Sequence, residues 1–254
     1  MIEIKNLQLG YKKDSLIIDG ASFSIKEGNV SILLGKNGSG KSTIIKGVLS
    51  LLKNRGGEIL IDGNDLNKLS SKERARHIAY VPQLIQDSSL NVLDMVMIGR
   101  IPYFSISPKK EDYEIVYKAM EELEIIHLAN KAFSSLSGGE KQKVIIARAL
   151  SQQAKLIVMD EPTSNLDIAS KLLLVKMIKE LAKDNNVSFL IAIHDVNEAM
   201  ALGDDFIFLK EGKILYESSL DDLKEEYFSS CFDVKAKMEE IDGRRIVLFG
   251  GKYE

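Results

Sequence analysis

The run Gly35-Lys36-Asn37-Gly38-Ser39-Gly40-Lys41-Ser42-Thr43 lies between the apolar stretch Val30–Leu34 and the segment Ile44–Leu49, and it constrains the fold more than any other part of the chain. A triphosphate carries dense negative charge. A protein holds it by wrapping backbone N–H groups around it at the start of a helix. Glycines suit such a loop because they take φ > 0 and let the backbone approach the phosphate oxygens closely. Lys41 is then placed to meet the β and γ phosphates, and the Ser42 hydroxyl to ligate Mg²⁺. The order strand, loop, Lys-Ser, helix therefore predicts a nucleoside triphosphate site over residues 35–43.

Composition narrows the setting. A chain of 254 residues is long enough for one large α/β domain or for a core with an inserted subdomain. Its net charge of −3 argues against a nucleic-acid partner, which would call for a basic surplus on one face. The single cysteine, Cys231, excludes an intrachain disulfide and is expected to be inert. No apolar run approaches the ~18 residues that span a bilayer. Acidic and basic residues interrupt Met1-Ile2-Glu3-Ile4-Lys5, unlike a secretory signal. Any membrane role must come through a partner.

Hydropathy patterning alternates between two regimes. Ile2, Ile4, Leu7 and Leu9, then Ile18 to Ile25, alternate as antiparallel strands with one wet face do, whereas Val30–Leu34 is uniformly apolar like a buried parallel strand. Strand signals recur at 58–63 and 78–81, vanish between Asn91 and about Gln153, where helical periodicity takes over, and return at 156–159, 188–193 and 206–209. A long helix is expected near Ile168–Lys183 with Asp167 as N-cap. In the tail, Phe232, Val234, Ala236 and Met238 alternate, Ile241-Asp242-Gly243 turns, and Ile246, Leu248 and Gly250 alternate again, which predicts a β-hairpin. The expected organisation is a core over 1–85 and 154–220, a helical subdomain over about 86–153, and a C-terminal extension over 221–254.

Two further constellations carry chemistry. In Leu156-Ile157-Val158-Met159-Asp160-Glu161-Pro162, an apolar strand delivers adjacent carboxylates at its C-terminal end, a costly arrangement unless a cation or substrate awaits them. Asp160 is suited to hold Mg²⁺, and Glu161 to orient and deprotonate an attacking water, so hydrolysis is expected as well as binding. In Leu136-Ser137-Gly138-Gly139-Glu140-Lys141-Gln142, Ser137 is a good N-cap and the glycines leave the first helical N–H groups uncovered. That is a second anion site, some hundred positions from the first. One chain cannot easily bring both to a single nucleotide, which suggests two chains with the nucleotide between them.

Leu136–Gln142 resembles the signature motif of ATP-binding cassette (ABC) ATPases, flanked by matching Walker A (Gly35–Thr43) and Walker B (Leu156–Glu161) segments. The resemblance covers about the whole chain. It implies an α/β fold of the P-loop NTPase (RecA-like) type, with a mixed sheet, an antiparallel β subdomain and an inserted all-helical subdomain, and ATP hydrolysis with Mg²⁺. It also implies roles: Tyr11 as the aromatic that stacks on adenine; Gln83 as the Q-loop glutamine that touches Mg²⁺ and senses the membrane partner; Ser164-Asn165-Leu166-Asp167 as the D-loop at the dimer interface; His194 as the switch histidine on the γ-phosphate. Ser137, Gly138, Gly139 and Glu140 would meet the phosphate of a nucleotide held by a second copy. The chain departs from the usual pattern at Asn165, where Ala is common, and at Glu140-Lys141, where Gln-Arg is common.

Within the family, Ile98-Gly99-Arg100-Ile101-Pro102-Tyr103 and the stretch Leu69–Gln83 resemble ATPases that serve iron-chelate, haem and cobalamin importers. The expected protein is the ATPase subunit of a prokaryotic importer. It would act as a homodimer on the cytoplasmic face of the membrane, bound to polytopic permease subunits and working indirectly with an extracytoplasmic substrate-binding protein. The alternatives are a zinc or manganese importer and, further off, a soluble ABC ATPase of the iron–sulfur assembly kind.

Overall fold

The computed structural model describes residues 1–12, 15–164 and 166–252. In chain order its elements are β1 (Ile2–Leu9), β2 (Ile18–Ile25), β3 (Val30–Leu34), α1 (Lys41–Val48), β4 (Gly56–Ile61), β5 (Asn64–Asp65), α2 (Ser71–Arg74), β6 (Ile78–Val81), α3 (Val92–Met97), α4 (Lys110–Glu122), α5 (Gly138–Ser151), β7 (Leu156–Asp160), α6 (Ile168–Asn185), β8 (Ser188–Ala192), α7 (Val196–Leu202), β9 (Asp205–Lys210), β10 (Lys213–Ser219), α8 (Glu225–Phe232), β11 (Val234–Ile241) and β12 (Arg244–Lys252). The chain divides into two compact units, Met1–Lys68 with Ile178–Glu254, and Leu69–Met177; the division falls within α6.

The first unit holds the strands around the glycine-rich loop. β3 is buried along its whole length and runs parallel to β8 on one side and β9 on the other, with Ile32 opposite Ile191 and Phe206. Burial on both faces explains why these strands read as continuous apolar runs. β10 turns back antiparallel on β9, so the sheet is mixed. A separate antiparallel sheet has the order β2-β1-β4-β5, and Ile2, Ile4, Leu7 and Leu9 face its core. Asn6 takes φ 50 where the β1–β2 register slips, and this keeps Ile4 and Leu7 on one face despite their odd spacing.

The tail hairpin pairs β11 with β12 around Asp242 and Gly243, both at positive φ as a tight turn requires. The paired strand begins at Val234, two residues after the alternation starts at Phe232. Phe232 closes helix α8, whose Phe228 and Cys231 are buried, so helical burial prevails over a β pattern there.

In the second unit β6 and β7 run parallel, with Ile78 opposite Leu156 and Val81 opposite Met159. Helix α5 packs on α3 and α4 through Val92, Val96, Val116, Met120, Val144 and Ile146, all fully buried. Gly99 and Arg100 are part of this core, while Ile101 is exposed. A side chain at Gly99 would lie 2.2 Å from the Arg148 carbonyl. Arg100 is buried, donates to Asp112 (3.0 Å), the Ser151 carbonyl (2.8 Å) and Gln153 (2.9 Å), and lies over the Tyr103 ring at 4.0 Å.

Candidate nucleotide-binding site

The loop after β3 is held shut by its own lysine. Lys41 is 7% exposed, and its Nζ donates to the Gly35 carbonyl (2.7 Å) and the Lys36 carbonyl (3.2 Å). A buried ammonium needs such partners, since an uncompensated charge there would be expensive. Gly35 has no room for a side chain: a Cβ would sit 2.3 Å from the Leu209 carbonyl and 2.6 Å from Ser39 Oγ. Gly38 (φ 80) and Gly40 (φ 111) need glycine for conformation, and at Gly40 a Cβ would also meet Ile18 Cδ1 at 2.6 Å. Helix α1 starts with no side-chain cap and no acidic residue in its first turn. Ser39 Oγ is buried with no hydrogen-bond partner. An uncapped helix start, an orphaned hydroxyl and a buried ammonium on loop carbonyls together fit a polyanion. Asn37, Gly38 and Ser42 are exposed on this loop, and Thr43 is buried beneath it.

Tyr11 belongs to the same unit and is 56% exposed. Lys46, on α1, donates to its hydroxyl at 3.2 Å and lies 5.4 Å from its ring centroid. Burial pushes the phenol up, but hydrogen bonds with Lys46 and Thr43 outweigh it, so Tyr11 sits below its ordinary range. An exposed aromatic beside the loop, with a cation at hand, is suited to a planar base. His194 is exposed just after β8. Its neighbour Asp195 caps α7 by accepting from Asn197 N (2.9 Å) and Glu198 N (3.0 Å), which fixes the chain where His194 leaves the strand.

In the second unit, buried Leu156–Met159 carry Asp160 to the end of β7, and Glu161 follows in the left-handed region at φ 45. Such a conformation costs about 1–3 kcal/mol in a non-glycine residue and persists only where the surroundings enforce it. Gln83 Nε2 donates to Glu161 Oε2 at 2.8 Å, so the two arrive together although 78 residues separate them. The nearby Tyr80 phenol is raised by burial and by the charge of Asp160.

Ser137 caps α5, and here the sequence reading missed a partner. Glu140 closes a capping box: its N–H donates to Ser137 Oγ (3.3 Å), while its Oε2 accepts from Ser137 N (2.8 Å) and from Ser137 Oγ (2.7 Å). These bonds, the Ser137 hydroxyl first, hold the Glu140 carboxyl below the usual carboxylate range. The helix start read as open therefore carries an internal carboxylate. The S-x-x-E spacing was the signal for it. A side chain on Gly138 would meet nothing within 4 Å. A Cβ on Gly139 would touch Ser170 Oγ (3.6 Å), and Ser170 in turn donates from N and Oγ to Asp167 (3.0 and 2.7 Å). Asp167 thus caps α6 as expected; Asn165 lies outside the described residues.

Two more contacts had no sequence signal. Lys36 of the loop is paired with Asp233 at 2.8 Å across 197 residues, and Asn197 of α7 exchanges hydrogen bonds with Val247 of β12.

A glycine loop closed on its lysine after a buried parallel strand, with an acid pair ending a second such strand, defines a P-loop nucleoside triphosphatase. The chain belongs to the ABC transporter family, whose sequence model matches residues 18–164. It is 36% identical to an uncharacterized ABC transporter ATP-binding protein of Methanocaldococcus jannaschii over 98% of this chain and 97% of the relative. It is 32% identical to the iron(3+)-hydroxamate import ATP-binding protein of Bacillus subtilis (93% and 89% covered). It is 33% identical to the manganese transport system ATP-binding protein of Listeria innocua serovar 6a (83% and 87% covered). Among solved structures, one described as an inward-facing conformation of a metal-chelate type ABC transporter matches with TM-score 0.82 and 27% identity, over 99% of this chain and 97% of that one. The protein is an ATP-binding, ATP-hydrolysing subunit of the ABC kind. Among the described residues no helix is long and apolar enough to cross a membrane.

Proposed function

We propose that this chain powers an importer for an iron chelate of the siderophore, haem or cobalamin type, from the cytoplasmic face of the membrane. Permease subunits would hold it there, and an extracytoplasmic binding protein would deliver the cargo. The observation that supports the catalytic half is the Gln83–Glu161 contact, in which the carboxylate of a residue with a left-handed backbone accepts from an amide at the end of the acidic strand. On this reading residues 35–43 wrap the phosphates, with Lys41 as the fixed cation, and Tyr11 stacks on the base. Glu161 takes the proton of the attacking water, and His194 contacts the γ-phosphate.

Mg²⁺, when bound, neutralises charge between the β and γ phosphates. Ser42, and separately Gln83 and Asp160, are the hard oxygen donors it favours. Among the described residues no cluster of three or more His, Cys, Asp or Glu could hold a metal alone. A cation shared with phosphate suits that finding, because Mg²⁺ usually keeps few protein ligands.

Two copies are proposed to pair head to tail, each ATP bridging one loop over 35–43 and the partner's helix start over 137–140, with the D-loop around Asp167 at the seam. The helical segment 86–153 would engage the permease, the core 1–85 and 154–220 would hold nucleotide, and 221–254 would form an extension. Glu161→Gln tests this: ATP binding should persist, turnover should fall by about 10²–10⁴-fold, and a dimer should accumulate with ATP. A monomer at saturating ATP would refute the pairing. For cargo, the iron-hydroxamate relative and the metal-chelate structure support the chelate reading, whereas the manganese relative keeps that ion as the second. Chelate uptake against manganese uptake in a strain lacking the chain separates them.

A further inference from the structure

We propose that Asp233 is a positioning residue for the phosphate loop and acts through Lys36. The Asp233 carboxylate bridges two ammonium groups: Lys36 Nζ at 2.8 Å and Lys210 Nζ at 2.5 Å. Lys210 also donates to the Ser230 carbonyl at 2.9 Å, which ties the end of β9 to α8. Lys36 is engaged at both ends. Its side chain is held by Asp233, while its carbonyl accepts from Ser39 N (3.1 Å) and from Lys41 Nζ (3.2 Å). A backbone shift at Lys36, which its tethered side chain resists, would therefore move an oxygen on which the buried ammonium of Lys41 rests.

The anchor sits on a rigid base. Phe228 is fully buried and packs edge-on against Phe208 at 5.1 Å, Tyr227 stacks on Tyr216 at 4.3 Å, and Cys231 lies 3.6 Å from the Leu209 carbonyl. That same carbonyl is the atom that excludes a side chain at Gly35. Helix α8 therefore supports the end of β9 against which the loop's first glycine packs. Asp233 reaches Lys36 because the chain leaves α8 in a left-handed conformation (φ 54, ψ 39), which Asp tolerates better than most residues. The tail makes a second contact with the nucleotide machinery. Asn197 donates to the Val247 carbonyl (3.2 Å) and accepts from its N–H (2.8 Å), so β12 grips the helix that begins two residues after His194. The tail thus holds the loop at one point and the helix after His194 at another.

Both partners of the Lys36–Asp233 pair are about half exposed (47% and 49%), so its effect is that of a surface pair. The inference rests on residues 35–43 being the phosphate site. The test uses the full-length chain, with ATP affinity read from a fluorescent analogue and KM and kcat from phosphate release. Asp233→Asn keeps the left-handed turn and removes the charge. It should weaken ATP about two- to fivefold, leave kcat within about twofold, and lose part of the difference at high salt. Lys36→Met should show the same loss, and the double variant no more than either alone. Additive losses, or an Asp233→Asn variant that binds ATP like the parent, would overturn the proposal. Lys41→Ala is the separate control: if it still binds ATP, the phosphate-site reading itself fails.

Discussion

Replacing Arg100 with methionine is the sharpest test of how the helical unit is held together. Arg100 and Asp112 are 5% and 6% exposed, and the guanidinium also serves the Ser151 carbonyl, Gln153 and the Tyr103 ring. Methionine keeps most of the aliphatic stem, so little packing volume is lost. What remains is a buried carboxylate without its cation, a change that typically costs about 3–5 kcal/mol. With roughly 2–4 °C per kcal/mol for a chain of this size, the melting temperature should fall by about 6–20 °C. Removing both charges, as in Arg100→Met with Asp112→Asn, should recover part of that loss.

The pH dependence gives an independent check on the same variant. Burial pushes the Asp112 carboxyl up, but the Lys109 N–H and Arg100 overcome it and hold the group below its usual range. Its stabilising contribution is present above the unfolded value near ~3.9 and is lost as pH falls through the depressed native value. In Arg100→Met the carboxylate is penalised instead, so the gap from the parent should be widest near neutrality and narrow toward pH ~4. Circular-dichroism melts across pH measure it. A shift under about 2 °C, or a gap that ignores pH, would refute the brace.

Glu140→Gln should cost α5 about 0.3–1 kcal/mol as the charge leaves its N-terminus. It should also tighten the ATP-dependent dimer in a Glu161→Gln background, because a phosphate no longer competes with a resident carboxylate; weaker dimerisation by gel filtration would contradict this. The Cys231 thiol, pushed up to about 11 by burial, should resist Ellman's reagent at pH 8 until the chain is unfolded. Prompt native labelling would show that α8 opens. Gly40→Ala places a side chain at φ 111 against Ile18, and loss of ATP binding with the fold retained is expected; an unaffected Kd would show that the loop does not need that conformation.

The conformation of the glycine loop was legible because its causes are local. A buried strand, glycines at positive φ and an uncapped helix start are written within residues 30–48. Strands β3, β6 and β7 were legible for the same reason, since burial on both faces leaves an uninterrupted apolar run. The Gly99–Tyr103 stretch was legible as a motif but not as a structure. Its arginine matters through Asp112, Ser151 and Gln153, which come together only when α4 and α5 pack. Helix α8 was missed because eight residues carry little periodicity, and the neighbouring apolar alternation runs back to Phe232. Asp233 left no trace at all, since nothing near position 36 announces an acid 197 residues away.

On the proposed roles, the two places where nucleotide chemistry would occur already hold internal partners. Ser137 and the start of α5 hold Glu140, and Glu161 Oε2 holds the Gln83 amide. The Glu140 carboxylate takes the Ser137 N–H and hydroxyl, so a phosphate that claimed that hydroxyl would have to offer more negative charge than the glutamate it displaces. A triphosphate does; a diphosphate lacks the terminal group that would reach the partner's helix. The Gln83 amide takes one lone pair of Glu161 Oε2, so an attacking water would share that oxygen with it or use the other one. On the proposed pairing, the Ser137–Glu140 bonds would oppose closure in the absence of ATP, and a γ-phosphate with its cation would replace them. Hydrolysis would remove that replacement, and the internal partners would then favour reopening.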